Sequence, residues 1–410
     1  MRIVNIIARI IIGSVFIFSG FVKGIDPMGS TYKFLGYFTA FGSDFLNPLA
    51  LPLALLLSVS EFLIGVSILL GWKHKTGAWL ALLFIGFFTV LTFVLALTNP
   101  VTDCGCFGDA VIMTNWQTFL KSIILAPFVV FIFLCKNKQK SVYGSLKEWL
   151  LVFSFAFLFG MLELYNLRHE PILDFRPYRV GTYIPDATII PEGAPMDEYH
   201  TYLYYKKDGK IEEFTDENFP WQDTSWTFVD SKHVLIKKGY EPPIHDFNMT
   251  ATDGSDMTEM ILNNSGFTFL LISKDISQAD PEALIAANNI AMNCQSGGCA
   301  FYCITSSLQP DIDRVSAEIN PVFEFLTADQ ITLKTILRSN PGLMLLKDGT
   351  IMAKWHANDF PEVTDINKNF LAKILDKQRE RSEHTLILLL ISVFVLLILA
   401  ISSIVPRKKT

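Results

Sequence analysis

Ala78-Trp-Leu-Ala-Leu-Leu-Phe-Ile-Gly-Phe-Phe-Thr-Val-Leu-Thr-Phe-Val-Leu-Ala-Leu97 is a run of 20 residues without one charge. At about 1.5 Å of rise per residue it reaches about 30 Å, the thickness of a bilayer's hydrocarbon core, and so predicts a membrane-spanning helix. Runs of the same kind flank it at Ile3–Phe21, Pro48–Leu70, Trp116–Leu134 and Trp149–Leu164, and another, Thr385–Val405, stands near the C-terminus. The expected fold is therefore a polytopic α-helical bundle of about six spans. Signal peptides also open with a basic residue and an apolar run, but no small-residue cleavage site follows Phe21 and further spans do, so the first run is expected to be an uncleaved anchor.

Charge divides the chain into two physical objects. Residues 167–384 carry 20 basic and 33 acidic side chains, a net −13, whereas the remainder carries 14 basic and 7 acidic, a net +7. The first object is acidic and long enough for one or two soluble cores; the second is apolar with basic connectors, as a bilayer-embedded part should be. No basic face points to nucleic acid. The expected organisation is a four-helix membrane domain over 1–140, a fifth transmembrane helix over 145–166, a β-rich module over 167–240, an α/β domain over 241–382 and a last span over 385–405.

Lys and Arg are retained on the cytoplasmic side of short connectors. Arg2, Lys73, Lys75, Lys136, Lys138, Lys140, Arg407, Lys408 and Lys409 cluster at alternate turns, while Asn99 to Asn115 contains neither residue type. Both termini are expected in the cytoplasm, and residues 23–47, 98–115 and 167–384 outside it. In a bacterium this means an inner-membrane protein with a periplasmic domain.

One outward connector reads Val101-Thr-Asp-Cys-Gly-Cys-Phe-Gly-Asp109. Its compartment permits disulfides. A bond across Cys104-Gly105-Cys106 would close a small strained ring, and strained, exposed disulfides tend to be labile or catalytic. The alternatives are a permanent turn staple or thiols paired elsewhere. A metal is not expected, because two cysteines supply half of a usual zinc set and no other Cys or His lies in the bundle's outward connectors. In the first connector Lys23 and Asp26 lie on the same side as the motif. An ammonium there would lower a thiol pKa, although a snorkelling lysine beside a helix-ending Asp-Pro is the simpler expectation for these residues alone. Glu61 lies about 20 Å into the second span, where an acid is costly unless it faces the bundle interior. It is either a packing residue or part of a proton or quinone site.

Taken together, Ser19-Gly20, Lys23, Asp26-Pro27, Gly29, Lys33, Tyr37, Glu61-Phe-Leu-Ile-Gly65 and Cys104-Gly-Cys-Phe-Gly-Asp109 resemble the MauE branch of the DoxX-like membrane proteins, over about residues 1–135. The resemblance implies a four-helix bundle concerned with maturation of methylamine dehydrogenase, a secreted enzyme rich in disulfides, whereas DoxX relatives include subunits linked to quinone reduction. It implies thiol–disulfide handling outside the cytoplasm, in contact with membrane lipid and an extracytoplasmic client or redox partner. No cofactor is specified, and quinone is the one this resemblance allows. The additional domain and spans depart from the short family members.

In the soluble part, residues 167–240 alternate as short strands do, with Lys207-Asp-Gly-Lys210 offering a hairpin turn, and their Tyr and Trp residues are expected in a core. Residues 244–360 hold strand-like Phe267–Ser273, helix-like Pro281–Met292, strand-like Ala300–Thr305 and a hairpin at Gly342–Lys347 and Thr350–Trp355. This order resembles thioredoxin-like domains, and Asn340-Pro341 matches their proline loop, in which Pro341 would be cis. The usual Cys-x-x-Cys after the first strand is replaced by Lys274-Asp-Ile-Ser-Gln-Ala-Asp280. A second cysteine cluster follows at Cys294, Cys299 and Cys303. Cys303 is expected to be buried, and Cys294 and Cys299 to form a structural disulfide, a relocated redox pair or free thiols. Cys135 is expected to be an inert packing residue.

The candidate chemistry is a thiol–disulfide redox pair, Cys104 and Cys106, supported by Lys23, Asp26, Glu61 and Asp109. A non-catalytic membrane assembly or binding factor and a quinone-linked subunit using Glu61 are the competing expectations, so an enzymatic role stays open.

Overall fold

The computed structural model describes residues 2–101, 103–137, 144–216, 218–237, 239–244 and 247–361, with short stretches between 372 and 388. Helices α1 (Arg2–Ile25), α2 (Pro27–Ala40), α3 (Ala50–Leu70), α4 (His74–Thr98), α5 (Asn115–Cys135) and α6 (Ser145–Arg168) build the membrane part. Among the described residues five helices are long and apolar enough to span a membrane, α2 being too short. The expected sixth span, Thr385–Val405, lies outside the described residues save Leu388.

Helices α1 and α3 approach closely because small residues line their contact. A Cβ on Gly20 would stand 2.5 Å from the Phe62 backbone nitrogen, and one on Gly65 2.5 Å from that of Ile17. Small residues at a crossing are the usual means of tightening packing between membrane helices, where no hydrophobic effect drives association. Helix α6 joins this pair through Phe159, which stacks on Phe62 at 4.2 Å, and through Glu163, which accepts a hydrogen bond from Ser58. Short α2 starts where α1 must end. Asp26 caps it by accepting from the Gly29 N–H at 2.8 Å, and Pro27 occupies the first helical turn, where its missing donor costs nothing.

Beyond α6 the chain is fastened to the soluble domain by a buried ionic cluster. Arg176 pairs with Asp174 at 2.7 Å and Glu170 at 2.9 Å, and Lys354 reaches Asp174 at 2.8 Å. A short helix α7 (Ile184–Thr188) follows, and then a three-stranded antiparallel sheet, β1 (Glu198–Lys207), β2 (Lys210–Thr215) and β3 (Thr227–Lys237), ordered β2-β1-β3. Asp208-Gly209, both at positive φ, makes the expected hairpin turn. The expectation that this module's aromatics form a core fails. Trp221, in the β2–β3 connection, and Tyr199 and Phe228 on the sheet are 71%, 54% and 52% exposed, and among the described residues no second layer packs on this sheet.

The remaining domain consists of β4 (Thr250–Ala251), α8 (Thr258–Leu262), β5 (Phe267–Ser273), α9 (Pro281–Gly297), β6 (Ala300–Thr305), α10 (Gln309–Ile319), β7 (Glu324–Thr327), α11 (Gln330–Ile336), β8 (Gly342–Lys347) and β9 (Thr350–His356). The sheet order is β4-β7-β6-β5-β8-β9. Parallel β5 and β6 flank the crossover helix α9, while β8 and β9 pair antiparallel at the other side. That arrangement is the thioredoxin-like fold. Phe269 and Leu271 of β5 point into one apolar layer, Leu270 and Ile272 into the other, so the central strand is buried on both faces.

Candidate functional site at the membrane surface

The Cys104-Gly105-Cys106 loop, in the connection between α4 and α5, sits against the C-terminal part of α1 and against α2. Gly105 has φ +64°, a left-handed conformation that a residue with a Cβ adopts at a cost, and it turns the two thiols toward each other. The sulfur atoms stand 3.2 Å apart as free thiols in mutual hydrogen-bond contact.

Several neighbouring side chains grip the loop by its backbone or flank. Lys23 Nζ donates to the Cys106 carbonyl at 2.8 Å and to Ser19 Oγ at 2.8 Å, and pairs with Glu61 Oε2 at 2.6 Å. Ser19 Oγ donates to the same carbonyl at 2.7 Å, and Tyr37 OH to the Cys104 carbonyl at 2.8 Å. Lys33 pairs with Asp103 at 2.7 Å, while Asp103 also accepts from the Gly105 N–H at 2.9 Å. The simple expectation of a snorkelling Lys23 is thereby corrected: the residue is only 6% exposed, because Glu61 offers it a counter-charge inside the bundle. Glu61 in turn is an ion-paired residue rather than a solitary intramembrane acid.

The two thiols differ electrostatically. The hydrogen bond from Cys104 lowers the Cys106 pKa to about 6 against the opposing effect of burial, with Lys121 and Lys23 adding positive charge. The same hydrogen bond, together with burial, pushes the Cys104 thiol upward. Of the two, Cys106 is thus the thiol whose ionisation the site favours. Lys121 was invisible as a site residue in the sequence, since it lies about two turns inside an apolar helix; its ammonium lies 4.2 Å from the Phe107 ring centroid.

Asp26 and Asp109 do not touch the thiols. Both are held by Arg338 of the soluble domain, Asp26 at 2.5 and 3.0 Å and Asp109 at 2.8 Å. Burial alone would raise the Asp26 carboxyl, but the Arg338 guanidinium holds it below its usual range. Arg338 stands two residues before the cis Asn340–Pro341 peptide. Lys274, directly after β5, donates to Tyr32 OH of α2 at 2.6 Å and to the Arg338 carbonyl at 3.0 Å. The cis-proline face of the thioredoxin-like domain is thus seated on the membrane domain beside the cysteine loop. Arg338 went unnoticed in the sequence because its partners lie 312 and 229 residues away.

Cys294, Cys299 and Cys303 belong elsewhere. Asp280, at the start of α9, bonds the proline loop through its N–H to the Asn340 carbonyl at 3.2 Å, whereas Cys294 lies near the opposite end of that helix. Cys294 and Cys299 are free thiols in contact, Cys299 being drawn down by its hydrogen bond from Cys294, and Cys303 is fully buried in β6. Cys135, at the end of α5, is half-buried. Among the described residues no group of three or more His, Cys, Asp or Glu side chains could hold a metal ion.

Residues 1–135 match the family model described as methylamine utilisation protein MauE, and residues 199–238 match a domain of unknown function. No curated protein matches the chain. Solved structures similar to its C-terminal part include a secreted disulfide oxidoreductase of Mycobacterium tuberculosis, 14% identical, covering 34% of this chain and 96% of the other at a TM-score of 0.22. A thiol:disulfide interchange protein of the thioredoxin family from Chlorobium tepidum is 11% identical, covering 32% and 92% at 0.24. The bacterioferritin comigratory protein of Xanthomonas campestris is 11% identical, covering 33% and 92% at 0.22. The chain joins a MauE-like membrane domain to a thioredoxin-like domain.

Proposed function

We propose that Cys104 and Cys106 form a thiol–disulfide redox pair at the extracytoplasmic membrane surface, acting in the maturation of exported proteins. The observation that carries this reading is the pair itself: two free thiols 3.2 Å apart in a loop braced by Lys23, Ser19 and Tyr37, with positive charge from Lys23 and Lys121 favouring the Cys106 thiolate. The thiolate is the nucleophile of disulfide exchange, and a neighbouring thiol is what resolves a mixed disulfide. Oxidised, the pair would accept a client thiolate and pass on its bond; reduced, it would attack a client disulfide. The MauE-like match over residues 1–135 supports a role in maturation, and the basic residues at Arg2, Lys73, Lys75 and Lys136 support an orientation with both ends cytoplasmic and the loop in the periplasm.

Lys274 in place of a cysteine favours a second reading, in which the chain is a non-catalytic assembly factor and the soluble domain only binds. Acid trapping of thiols in cells, followed by alkylation and mass measurement, separates the two. A redox factor shows Cys104 and Cys106 in both bridged and free forms, and loses function in a Cys104→Ser, Cys106→Ser variant. A pair that never changes state, with full function retained by that variant, would sink the redox reading. A membrane-impermeant maleimide should label Cys106 from the periplasmic side.

A further inference from the structure

Helix α9 closes on the stretch Cys294-Gln-Ser-Gly-Gly-Cys299. Gly298 has φ +73°, the left-handed conformation that ends a helix, and its N–H donates to the Cys294 carbonyl. The Cys299 N–H donates to the same carbonyl at 3.2 Å. A cap of this kind sets the residue just past the glycine against the side chain one turn back, a contact usually made by two apolar residues. Both residues are cysteines in this chain, so the cap itself brings their thiols into hydrogen-bond contact.

The two thiols differ in access. Cys294 is 1% exposed, within the apolar layer that also holds Phe301 and Cys303. Cys299 is half-buried at the rim of that layer, and Gln295, Ser296, Gly297 and Gly298 beside it are exposed. The hydrogen bond from Cys294 draws the Cys299 thiol down against the opposing effect of burial, as suits an attacking thiol. A bridge here would close only a short loop, which restrains an unfolded chain little, so stabilising the fold is not its main consequence. Helix α9 has 17 residues and is about 25 Å long, and its other end, at Asp280, is the one bonded to the proline loop. The pair is therefore remote from Cys104 and Cys106 and needs a redox partner of its own.

We propose that Cys294 and Cys299 are a second thiol–disulfide exchange site, whose substrate is a water-soluble disulfide. The proposal stands apart from the role given to Cys104 and Cys106. In the first step the Cys299 thiolate attacks one sulfur of the substrate, whose S–S bond breaks, and the released thiolate takes up the proton that Cys299 lost. Cys294 then gives up its proton and attacks the Cys299 sulfur of the mixed disulfide. The Cys294–Cys299 bond forms as the second substrate thiol leaves. Two electrons and two protons pass in all from the dithiol to the substrate, which becomes two thiols.

The test equilibrates full-length protein in lipid nanodiscs with reduced and oxidised glutathione over a range of ratios, quenches with acid, alkylates, and maps the cysteines by mass spectrometry. Cys104–Cys106 and Cys294–Cys299 are read in separate peptides, so failure of one reading is distinguishable from failure of the other. Expected is passage of Cys294 and Cys299 from alkylated to bridged within that range, with Cys303 unbridged throughout. In Cys294→Ser, Cys299 should retain glutathione as a mixed disulfide, whereas in Cys299→Ser the shielded Cys294 should acquire it at least about tenfold more slowly. A bridge present at every ratio would mark a permanent staple and overturn the proposal. Thiols that never bridge, or a Cys294 that reacts as fast as Cys299, would overturn it as well.

Discussion

Replacing Arg338 by Met should separate the two halves of this protein at the cysteine loop. The guanidinium and the Asp26 carboxylate are 8% and 19% exposed, so little water screens their contacts of 2.5 and 3.0 Å. Removing one partner of such a buried pair leaves the other charge uncompensated, which costs about 3–5 kcal/mol. Asp109, at 34% exposed, adds little to that figure. The lower bound corresponds to a shift of more than about a hundredfold in the docking equilibrium. Hydrogen exchange of the amides at 103–109 and 338–342 reads it directly: both stretches should lose protection together. Asp26→Asn, Arg338→Met and the double variant then form a cycle. The pair predicts that the double variant is destabilised by well under the sum of the singles. A coupling energy below about 0.5 kcal/mol, the additivity expected of independent sites, would refute the claim that this clamp holds the domain on the loop.

Three further outcomes follow from the site. Alkylation of Cys106 should rise with pH through a midpoint near 6, since the thiolate is the reactive form and its pKa is lowered; in Cys104→Ser the midpoint should move, because a hydroxyl replaces the thiol donor. Lys23→Met should lower thermal stability by about 3–5 kcal/mol, leaving Glu61 buried without its cation, whereas Lys23→Met combined with Glu61→Leu should recover most of it; equal losses in both would argue against the pair. Gly105→Ala should cost about 1–2 kcal/mol from its positive φ alone, its Cβ also meeting Lys33 Cγ at 3.0 Å, and should raise the Cys106 alkylation midpoint as the thiols separate.

Docking also accounts for the missing Cys-x-x-Cys. In the thioredoxin-like domain the edge that carries the cis proline faces membrane-domain residues Asp26, Tyr32 and Asp109, so a dithiol at Lys274 would be buried against α2 instead of facing a client. The thiols beside this face are those of the membrane loop.

The five described spans were legible in the sequence because a bilayer imposes a length and an apolarity that no other environment demands, so runs such as Ala78–Leu97 carry their own explanation. The strands Phe267–Ser273 and Gly342–Lys347 were legible for a similar reason, as buried apolar runs bounded by turn residues. Cys104 and Cys106 announced themselves by their spacing. What only tertiary structure decided was who neutralises whom. Lys23 reads as a snorkelling lysine until Glu61, 38 residues on, is brought to 2.6 Å, and Asp26 reads as a bare helix cap until Arg338 arrives from 312 residues away. The exposure of Phe228 likewise depends on a second layer that the described residues do not supply. Local pattern determines which elements form, because helix period, strand alternation and hydropathy act over a few residues. Charge pairing acts across space and carries no sequence period, so the docked arrangement of the two domains over one cysteine loop emerges only when the chain is folded.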